Sequence, residues 1–368
     1  MANRINVTRS SMPTFEEYAA EIKDLWDTRW LSNRGGKSVE FEKMLVDKLK
    51  VPNVWLFANG HLALEVVLQS LNLPKGGEVI TTPYTHCSTT LSIVRNGLKP
   101  VLVDVEDAYF TLNPELIEDA ITEGTCAIVA THVYGFLCDV DAIQRIADKH
   151  GLKVVYDAAH AFGVERGGVG AASYGDASMI SCHATKVFHT IEGGLVTCKD
   201  EAAFERMTHL VNFGFTSPED VEYVGTNARM NEFEAAMGIC NLRHIDEEIA
   251  HRKVAGDRYY ERLDGVDGVR LLDIPNDLKW NYAYFPVFFD GPKNRDQVKA
   301  DLEAENVFPR KYFFPTVDNM GCFAGNFTNE EFPVAHWAAE HVLTLPMYAD
   351  LSLEDVDRIC DIVLKAGC

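Results

Sequence analysis

Three short stretches carry residues whose types and spacing could do chemistry. "SCHATKVFHTIEGG" places one lysine, Lys186, between two apolar runs. "YDAAHAFG" places Asp157 at the end of the apolar run "KVVYD", and "FANGHLALE" places Gly60 and His61 ahead of a helical pattern. A lysine amine is a nucleophile, a carboxylate can meet a cationic ligand atom, and free N–H groups at a helix start can bind phosphate.

Each feature alone also has an ordinary structural interpretation. A lone lysine is most often a solvated charge, a strand-end aspartate often caps a helix or a turn, and many turns contain glycine. Together, with Lys186 following Asp157 by 29 positions, they supply what pyridoxal phosphate needs. The aspartate keeps the pyridine nitrogen protonated, the lysine forms the Schiff base, and the helix start with the Ser181 hydroxyl holds the phosphate. The sequence therefore predicts a pyridoxal phosphate site with Lys186 and Asp157 as catalytic residues.

Strand and helix patterns alternate through the first half of the chain. The apolar runs are "VWLFANG", "EVITTPY", "PVLVDVE", "CAIVATHVYG" and "KVVYDAA". They are continuously apolar, which is typical of strands covered on both faces, and helical patterns separate them. This alternation predicts a mainly parallel sheet with crossover helices, whose carboxyl edge is the usual ligand site. Single helices are also predicted over residues 14–30 and 113–121.

The pattern changes after Asn227. A long helical pattern, "NEFEAAMGICNLRHIDEEIAHRKVAGDRYYERL", leads out of the first half, and mixed strand and helix patterns follow from about Leu271. A chain of 368 residues is long enough for two domains. We predict a large α/β domain over residues 1–245 and a smaller α+β domain over residues 246–368.

Composition excludes several classes of partner. The chain has 34 Lys and Arg against 55 Asp and Glu, a net charge of −21, which opposes binding to nucleic acid or to an anionic membrane. Its apolar runs are too short to span a bilayer, and the first residues lack a signal-peptide pattern, so a cytoplasmic protein is expected. Nine cysteines without a C-x-x-C pair predict reduced thiols and no metal site.

The lysine stretch resembles a known family signature. "SCHATKVFHTIEGG" is similar to the pattern S-F-H-x-x-K…x-E-G-G of the DegT/DnrJ/EryC1/StrS sugar aminotransferases. The same order of motifs continues in "RWLSN", "NGHLALE", "EVITTPYTHCSTT", "HVYGFLCDVDAI", "YDAAHAFG", "GTNARMNEFEAAMG" and "PRKYFFPT". This resemblance covers most of the chain. It implies a fold-type I pyridoxal-phosphate-dependent transferase: an α/β protein with a mainly parallel mixed sheet, a smaller α+β C-terminal domain, and a homodimer with shared active sites.

The resemblance also assigns roles to individual residues. Lys186 matches the Schiff-base lysine and Asp157 the partner of the pyridine nitrogen. Asn227, which we place at the start of the long helix, is expected to reach the phosphate in the partner subunit, with a helix N-cap as its alternative role. Further cofactor contacts are implied for Gly60, His61, His86, His160 and Ser181, and substrate contacts for Arg29, His183, Arg229 and Tyr312.

Several positions depart from the family pattern. His61 stands where a threonine commonly contacts the phosphate, and its backbone N–H is expected to serve instead. His86 stands where an aromatic ring commonly stacks on the cofactor, and His160 where glutamine is frequent. For His183 a local hydrogen bond is the alternative to a catalytic role. Arg29 and Arg229 have surface or helix-capping roles as alternatives to binding substrate phosphate.

The resemblance is strongest to the branch that aminates dTDP-4-keto-6-deoxyglucose, giving dTDP-4-amino-4,6-dideoxyglucose. It implies L-glutamate as amino donor and a nucleotide sugar as acceptor. One alternative is amination of a 3-keto sugar, and another is a regulatory protein that binds pyridoxal phosphate with little turnover. The Lys186–Asp157 pair favours an enzyme, because a pure binder needs no proton-shuttling amine. A histidine in place of Lys186 would instead have indicated the family's dehydratase branch.

Overall fold

The fold is given by a computed structural model that describes residues 4–291, 293–327 and 331–366. Its strands are β1 Ile5–Asn6, β2 Trp55–Phe57, β3 Glu78–Thr81, β4 Lys99–Leu102, β5 Thr125–Thr131, β6 Lys153–Asp157, β7 Glu165–Arg166, β8 Val169–Gly170, β9 Ala177–Ser181, β10 Gly194–Cys198, β11 Phe215–Ser217, β12 Asp220–Val221, β13 Val269–Arg270, β14 Leu278–Lys279, β15 Phe285–Phe289, β16 Val307–Phe308 and β17 Val342–Leu345. Its α-helices are α1 Phe15–Glu21, α2 Leu25–Thr28, α3 Gly36–Leu49, α4 Gly60–Ser70, α5 Cys87–Arg95, α6 Ile117–Ala120, α7 Val140–His150, α8 Glu201–Leu210, α9 Glu232–Leu263, α10 Arg295–Ala304, α11 Pro333–His341 and α12 Leu353–Lys365.

A seven-stranded mixed sheet forms the centre of the described chain, in the order β2-β10-β9-β6-β5-β3-β4. Strands β9, β6, β5, β3 and β4 run parallel, whereas β10 is antiparallel to both of its neighbours. Successive residues of β6 pack on opposite faces: Val154 contacts the cluster that contains Ile143 of α7, and Val155 the cluster that contains Leu64 of α4. This confirms the predicted mainly parallel sheet with both faces covered.

The carboxyl edge of this sheet brings two of the chemical stretches together. Strand β6 ends at Asp157 and its neighbour β9 ends at Ser181, and the register pairs Asp157 with Met179. Because the two strands are parallel, the segments that follow them leave from the same edge. The lysine stretch follows β9, so Lys186 and Asp157 belong to one edge of the sheet.

The long helix α9 connects this sheet to the C-terminal part of the chain. Asn231 caps it, accepting hydrogen bonds from the N–H groups of Phe233 and Glu234 at 3.1 and 3.0 Å. The C-terminal part contains an antiparallel sheet, β13-β15-β17, and helix α12, which packs on α9. Strand β1 pairs in parallel with β16, so Ile5 and Asn6 also lie on that part. The domain division at residue 245, a position inside α9, stays a prediction.

Two helix predictions were wrong in their extent. Residues 14–30 form α1 and α2 with a break between them rather than one helix. Tertiary contacts hold that break, since the Lys37 ammonium pairs with Glu21, the last residue of α1, and with Asp24, the N-cap residue of α2, at 2.8 and 3.4 Å. Residues 113–121 form a 3-10 turn and the single-turn helix α6, which ends where Ile121 becomes extended.

Candidate active site

The lysine stretch forms a loop between β9 and β10. Its ends are closed by the antiparallel pair Ser181 and Gly194, and the Lys186 N–H donates to the His183 carbonyl at 2.9 Å. The Lys186 side chain reaches the C-terminal part of the chain, where Nζ donates to the Tyr284 hydroxyl at 3.2 Å. The lysine is therefore held at both its backbone and its amine.

An N-terminal arm, residues 7–14, holds this loop from outside. The Ser10 hydroxyl donates to the Ala184 carbonyl at 2.6 Å, and His189 Nε2 lies 2.5 Å from the Ser11 carbonyl. His189 is buried, and its Nδ1 accepts the Ile191 N–H at 3.2 Å, so Nε2 carries the ring proton and donates to the arm. Burial lowers the pKa of His189, which favours this neutral form. His189 is thus a local hydrogen bonder.

Asp157 is a buried carboxylate with 3% of its surface exposed. Its Oδ2 accepts a hydrogen bond from the Thr89 hydroxyl at 2.7 Å, and its Oδ1 accepts the Ala159 N–H at 3.0 Å. No lysine, arginine or histidine forms an ion pair with it in the part of the chain that the structure describes. A buried carboxylate without a cation is costly, so the site fits a cationic ligand atom such as a protonated pyridine nitrogen.

His160 presents one N–H donor to the same pocket. Its Nδ1 accepts the Tyr134 N–H at 3.1 Å, which leaves the proton of the neutral ring on Nε2. Burial, followed by the positive charge of Lys186, holds the pKa of His160 well below its usual range, so the ring stays neutral. A neutral Nε2–H next to Lys186 suits the predicted contact with a cofactor oxygen.

His86 and Tyr312 border the pocket from two other segments. His86 caps α5 by accepting the Ser88 N–H at 3.2 Å, and burial and the Lys186 charge lower its pKa. The ring of Phe313 lies 6.4 Å from the His86 ring and 5.8 Å from the His160 ring, the second contact being nearly parallel. The Tyr312 ring lies 5.5 Å from the ring of Tyr284. His86, His160 and Tyr312 therefore share one aromatic-walled pocket with Lys186.

Two glycines form a cradle beside this pocket. A Cβ atom on Gly194 would stand 2.8 Å from the backbone nitrogen of Gly60, and one on Gly60 would stand 3.2 Å from Cβ of Ser181. Asn59 caps α4 through the Leu62 N–H at 2.9 Å, whereas the N–H groups of Gly60 and His61 have no partner within the helix. Three segments thus meet at a helix start, a geometry that fits a phosphate group.

The imidazole of His61 is not part of this cradle. Its Nδ1 lies 2.8 Å from the Ser88 hydroxyl and its Nε2 lies 2.9 Å from Glu65, which also pairs with Arg95. The ring therefore belongs to the packing of α4 against α5, and only the backbone of His61 faces the helix start. That the His61 N–H replaces the threonine hydroxyl at the phosphate stays a prediction.

The structure corrects the placement of Asn227. It does not begin the long helix, which starts at Glu232 behind its cap Asn231, so the N-cap role is wrong. Asn227 instead accepts two hydrogen bonds from the Arg229 guanidinium, at 3.2 and 2.9 Å. Arg229 also donates to Asn33 and Asn212 at 2.5 and 2.6 Å. This amide cluster lies along β2, because Ala58 and Ala228 share a backbone hydrogen bond at the sheet edge.

Two further candidates make local contacts of their own. Arg29 is exposed and caps the end of α2 in the left-handed conformation, with φ of 53°. His183 Nδ1 lies 2.8 Å from the Thr185 hydroxyl and its Nε2 lies 3.4 Å from Glu192. Both residues therefore have the local roles that stood as alternatives to substrate binding, and a role for either in substrate binding stays a prediction.

Sequence reasoning missed Thr89 and Tyr284. Thr89 had a detectable signal, since "CSTT" opens α5, the helix that follows β3, and so lies at the same sheet edge. Tyr284 had none, because it belongs to the apolar run "YAYFPVFF" and meets Lys186 from 98 positions away. Its neighbours give it the appearance of an ordinary core residue.

These residues fit pyridoxal phosphate. Asp157 would hold the ring nitrogen, His160 the ring oxygen, the Gly60–Gly194 cradle the phosphate, and Lys186 the aldehyde carbon. The cofactor, when bound, carries the amino group and stabilises negative charge on the reacting carbon. Together with the mainly parallel sheet, this arrangement is that of a fold-type I pyridoxal-phosphate-dependent enzyme. Among the described residues, the His, Cys, Asp and Glu side chains form no group that could hold a metal ion, and no helix is both long and apolar enough to cross a membrane.

Comparison with known proteins gives the family. The chain belongs to the DegT/DnrJ/EryC1/StrS aminotransferase family, whose sequence model matches residues 14–364. It is 38% identical over 362 residues to the dTDP-4-amino-4,6-dideoxy-D-glucose transaminase of Shigella dysenteriae, covering 98% of both chains. The enzyme of the same name from Escherichia coli is 37% identical, again over 98% of both chains. The protein is therefore a pyridoxal-phosphate-dependent sugar aminotransferase.

A solved structure agrees with this assignment. The chain superposes on DesI, crystallised in the presence of its TDP-sugar product, with a TM-score of 0.94, 31% sequence identity and coverage of 99% of this chain and 93% of that one. The predicted fold class and the enzyme assignment are thus confirmed. The alternative of a regulatory protein with little turnover is not supported by these three relatives, two of which are named as transaminases.

Proposed function

We propose that the protein transfers an amino group from L-glutamate to C4 of a dTDP-4-keto-6-deoxyhexose, forming dTDP-4-amino-4,6-dideoxyglucose, with pyridoxal phosphate as its cofactor. The observation that carries this proposal is the identity of 37–38% over nearly the whole chain to two transaminases that are named for that product. DesI, which superposes closely on this chain, was crystallised with a TDP-sugar product.

The residues of the pocket can divide the chemical work. The Lys186 amine removes a proton from the donor's reacting carbon and returns it on the other side of the transfer, as a general base and then a general acid. Asp157 would keep a proton on the ring nitrogen of the cofactor, and the His160 Nε2–H would donate to its ring oxygen. The aromatic walls exclude water, because Tyr84, Tyr134 and Phe313 are buried around the pocket.

We further infer a homodimer in which Asn227 reaches the partner's phosphate site. The amide cluster around Arg229 covers the outer side of β2, the last strand of the central sheet, and the exposed ring of Phe213 lies 5.3 Å from the Arg229 guanidinium. Phe215 and Val221 are exposed beside Phe213, and such a patch of adjacent exposed apolar side chains is typical of an interface, where a two-fold axis would place two patches opposite each other.

Product analysis tests the proposed reaction. The purified protein is incubated with pyridoxal phosphate, L-glutamate and dTDP-4-keto-6-deoxyglucose, and the product is examined by NMR. An amine on C4 is expected. If the corresponding 3-keto isomer is aminated at C3 and no product carries an amine on C4, the 3-amino alternative replaces this proposal. GDP- and UDP-linked 4-keto sugars test the nucleotide, and L-alanine tests the donor.

The role of Lys186 has its own test. Lys186→Ala is expected to retain non-covalent cofactor binding, to lose turnover, and to show no cofactor on the protein after borohydride reduction. Mass spectrometry of the peptides locates any adduct. Normal trapping in the variant would mean that another lysine reacts with the cofactor, and the assignment of Lys186 would be wrong. Lys153→Ala, which removes a lysine paired with Asp176 at 2.8 Å away from the pocket, is the matched control.

A further inference from the structure

Tyr284 meets the reactive amine from the C-terminal part of the chain. Its hydroxyl lies 3.2 Å from Lys186 Nζ, and the amine lies 5.5 Å from the centroid of its ring. Among residues 4–291, 293–327 and 331–366, this is the one hydrogen bond that Nζ makes. We propose that Tyr284 is a further catalytic residue, whose phenol oxygen accepts a hydrogen bond from the free amine of Lys186 and holds it at the reacting carbon.

The phenol is fixed in place by its surroundings. Tyr284 is 4% exposed, and its ring makes edge contacts with the rings of His160, Tyr134 and Tyr312 at 4.7, 6.4 and 5.5 Å. Three rings packed around a buried side chain leave it one arrangement. The hydroxyl is therefore already positioned before the amine arrives, which is the condition for efficient catalysis.

The segment before Tyr284 is tied to the loop that follows Asp157. The Asn281 side chain donates to the carbonyls of His160 and Phe162 at 2.8 and 3.0 Å and accepts the Ala283 N–H at 3.0 Å. The Trp280 indole donates to the Tyr134 carbonyl at 2.9 Å. Although Tyr284 is remote from Asp157 in sequence, these hydrogen bonds fix its position relative to the elements that would hold the cofactor's ring.

The chemistry of the reaction explains why such a contact is needed. During amino-group transfer Lys186 is released and acts as a free amine on a flexible side chain, which costs conformational entropy to hold in one place. A single neutral acceptor directs one N–H away and so orients the lone pair. The carboxylate Asp157 stays unpaired with Lys186 and remains available for the cofactor.

The test compares Tyr284→Phe with Tyr282→Phe. The first variant keeps the buried ring and removes only the hydroxyl. Tyr282 is also buried, but its ring packs toward Gly256 and its hydroxyl faces Lys253, so it is the matched control. Pyridoxal phosphate is added to the cofactor-free proteins, the adduct is fixed with borohydride, and the Lys186 peptide is quantified over time by mass spectrometry. Turnover is then expressed per captured cofactor, so that loss of folded protein does not lower it.

For Tyr284→Phe we expect turnover per captured cofactor to fall about 10- to 100-fold, the effect of one hydrogen bond from an amine that becomes positively charged as it takes the proton. Capture at Lys186 should be about tenfold slower, with KM for the sugar nucleotide within about twofold. Tyr282→Phe should match the wild type. Turnover and capture of Tyr284→Phe within about twofold of the wild type would overturn the proposal.

The inference rests on the proposed function, since it takes Lys186 as the reacting amine, yet the two can fail separately. If the wild type captures cofactor at Lys186 but transfers no amino group to the dTDP-linked keto sugar, the proposed substrate is wrong. The capture rate alone then tests the role of Tyr284. Slower capture by Tyr284→Phe than by the wild type supports the proposal, and an unchanged capture rate refutes it. If no adduct forms at Lys186 in the wild type, both proposals fall together.

Discussion

Replacing Asp157 by asparagine tests the centre of the site, because the change removes one charge and little else. The amide oxygen of the new side chain would still accept the Ala159 N–H. The amide nitrogen would take the place of Oδ2 and face the Thr89 hydroxyl, which donates to Oδ2 at 2.7 Å in the wild type. That hydroxyl can reverse and donate to Thr85, whose hydroxyl lies 2.8 Å away. The hydrogen-bond network therefore survives the substitution, and the shape of the pocket with it.

The expected effect of Asp157→Asn on stability has opposite signs in the protein without cofactor and in the protein with cofactor. Without cofactor, Asp157→Asn relieves a buried unpaired charge, so the free energy of unfolding should stay equal or rise by about 1 kcal/mol. With cofactor, the ring nitrogen loses its negative partner, and each tenfold loss of affinity removes about 1.4 kcal/mol of the stabilisation that binding provides. Turnover should fall about 10²- to 10³-fold, as for other preorganised charge partners.

Thermal unfolding with and without pyridoxal phosphate, together with steady-state turnover, measures all three effects. Asp139→Asn is the matched control, because Asp139 caps α7 through the Ala142 N–H at 2.9 Å and asparagine caps a helix equally well. Near-normal turnover in Asp157→Asn would refute the assigned role. A marked loss of stability in the cofactor-free variant would show that the carboxylate stabilises the fold. That result would contradict the inference that a buried carboxylate without a cationic partner is costly.

Three further predictions concern the cradle, the edge of the sheet and a buried histidine. Gly194→Ala should weaken cofactor binding, seen by titration, because its Cβ would stand 2.8 Å from Gly60 N, while Gly36→Ala, with open space, should not. Asn231→Ala should lower the free energy of unfolding in denaturant by about 1 kcal/mol, because it removes the cap of α9. Asn227→Ala should leave that free energy unchanged, but it should lower cofactor affinity and the stability of the dimer in sedimentation. Burial lowers the pKa of His132 from 6.5 to about 3, so the unfolded chain binds a proton that the folded one does not. Stability should thus fall as pH falls below about 6.5, and His132→Gln should remove about 1.4 kcal/mol per pH unit from that slope.

The strand-borne part of the site could be predicted from the sequence. Asp157 and Ser181 end apolar runs, and parallel strands bring such ends to one edge, so their proximity follows from the alternation of elements. Gly60 opens a helix directly after a strand, which predicts a phosphate cradle for the same reason. In each case the local pattern determines both the element and the edge that it faces.

Other features depend on contacts between distant segments and leave no local pattern. Nothing in "TFEEYAAEIKDLWDTRW" shows the break between α1 and α2, because Lys37 and α9 hold the two pieces from outside. The start of α9 could have been placed correctly, since Asn231 is followed three residues later by Glu234, a capping box. The change of pattern at Asn227 instead predicts a start that is too early.

The lysine loop shows why assembly from distant segments matters for function. Ser10 and Ser11 of the N-terminal arm hold the loop on the two sides of Lys186, and Tyr284 of the C-terminal part holds the amine itself. The arm is bound in turn to the C-terminal part, because the Val7 carbonyl accepts the Met347 N–H at 3.0 Å. The N-terminal arm and the C-terminal part therefore both help to hold Lys186, although neither belongs to the central sheet. Since the sheet fixes Asp157 and the cradle while these outer segments fix Lys186, the position of the amine relative to the cofactor depends on their packing against each other.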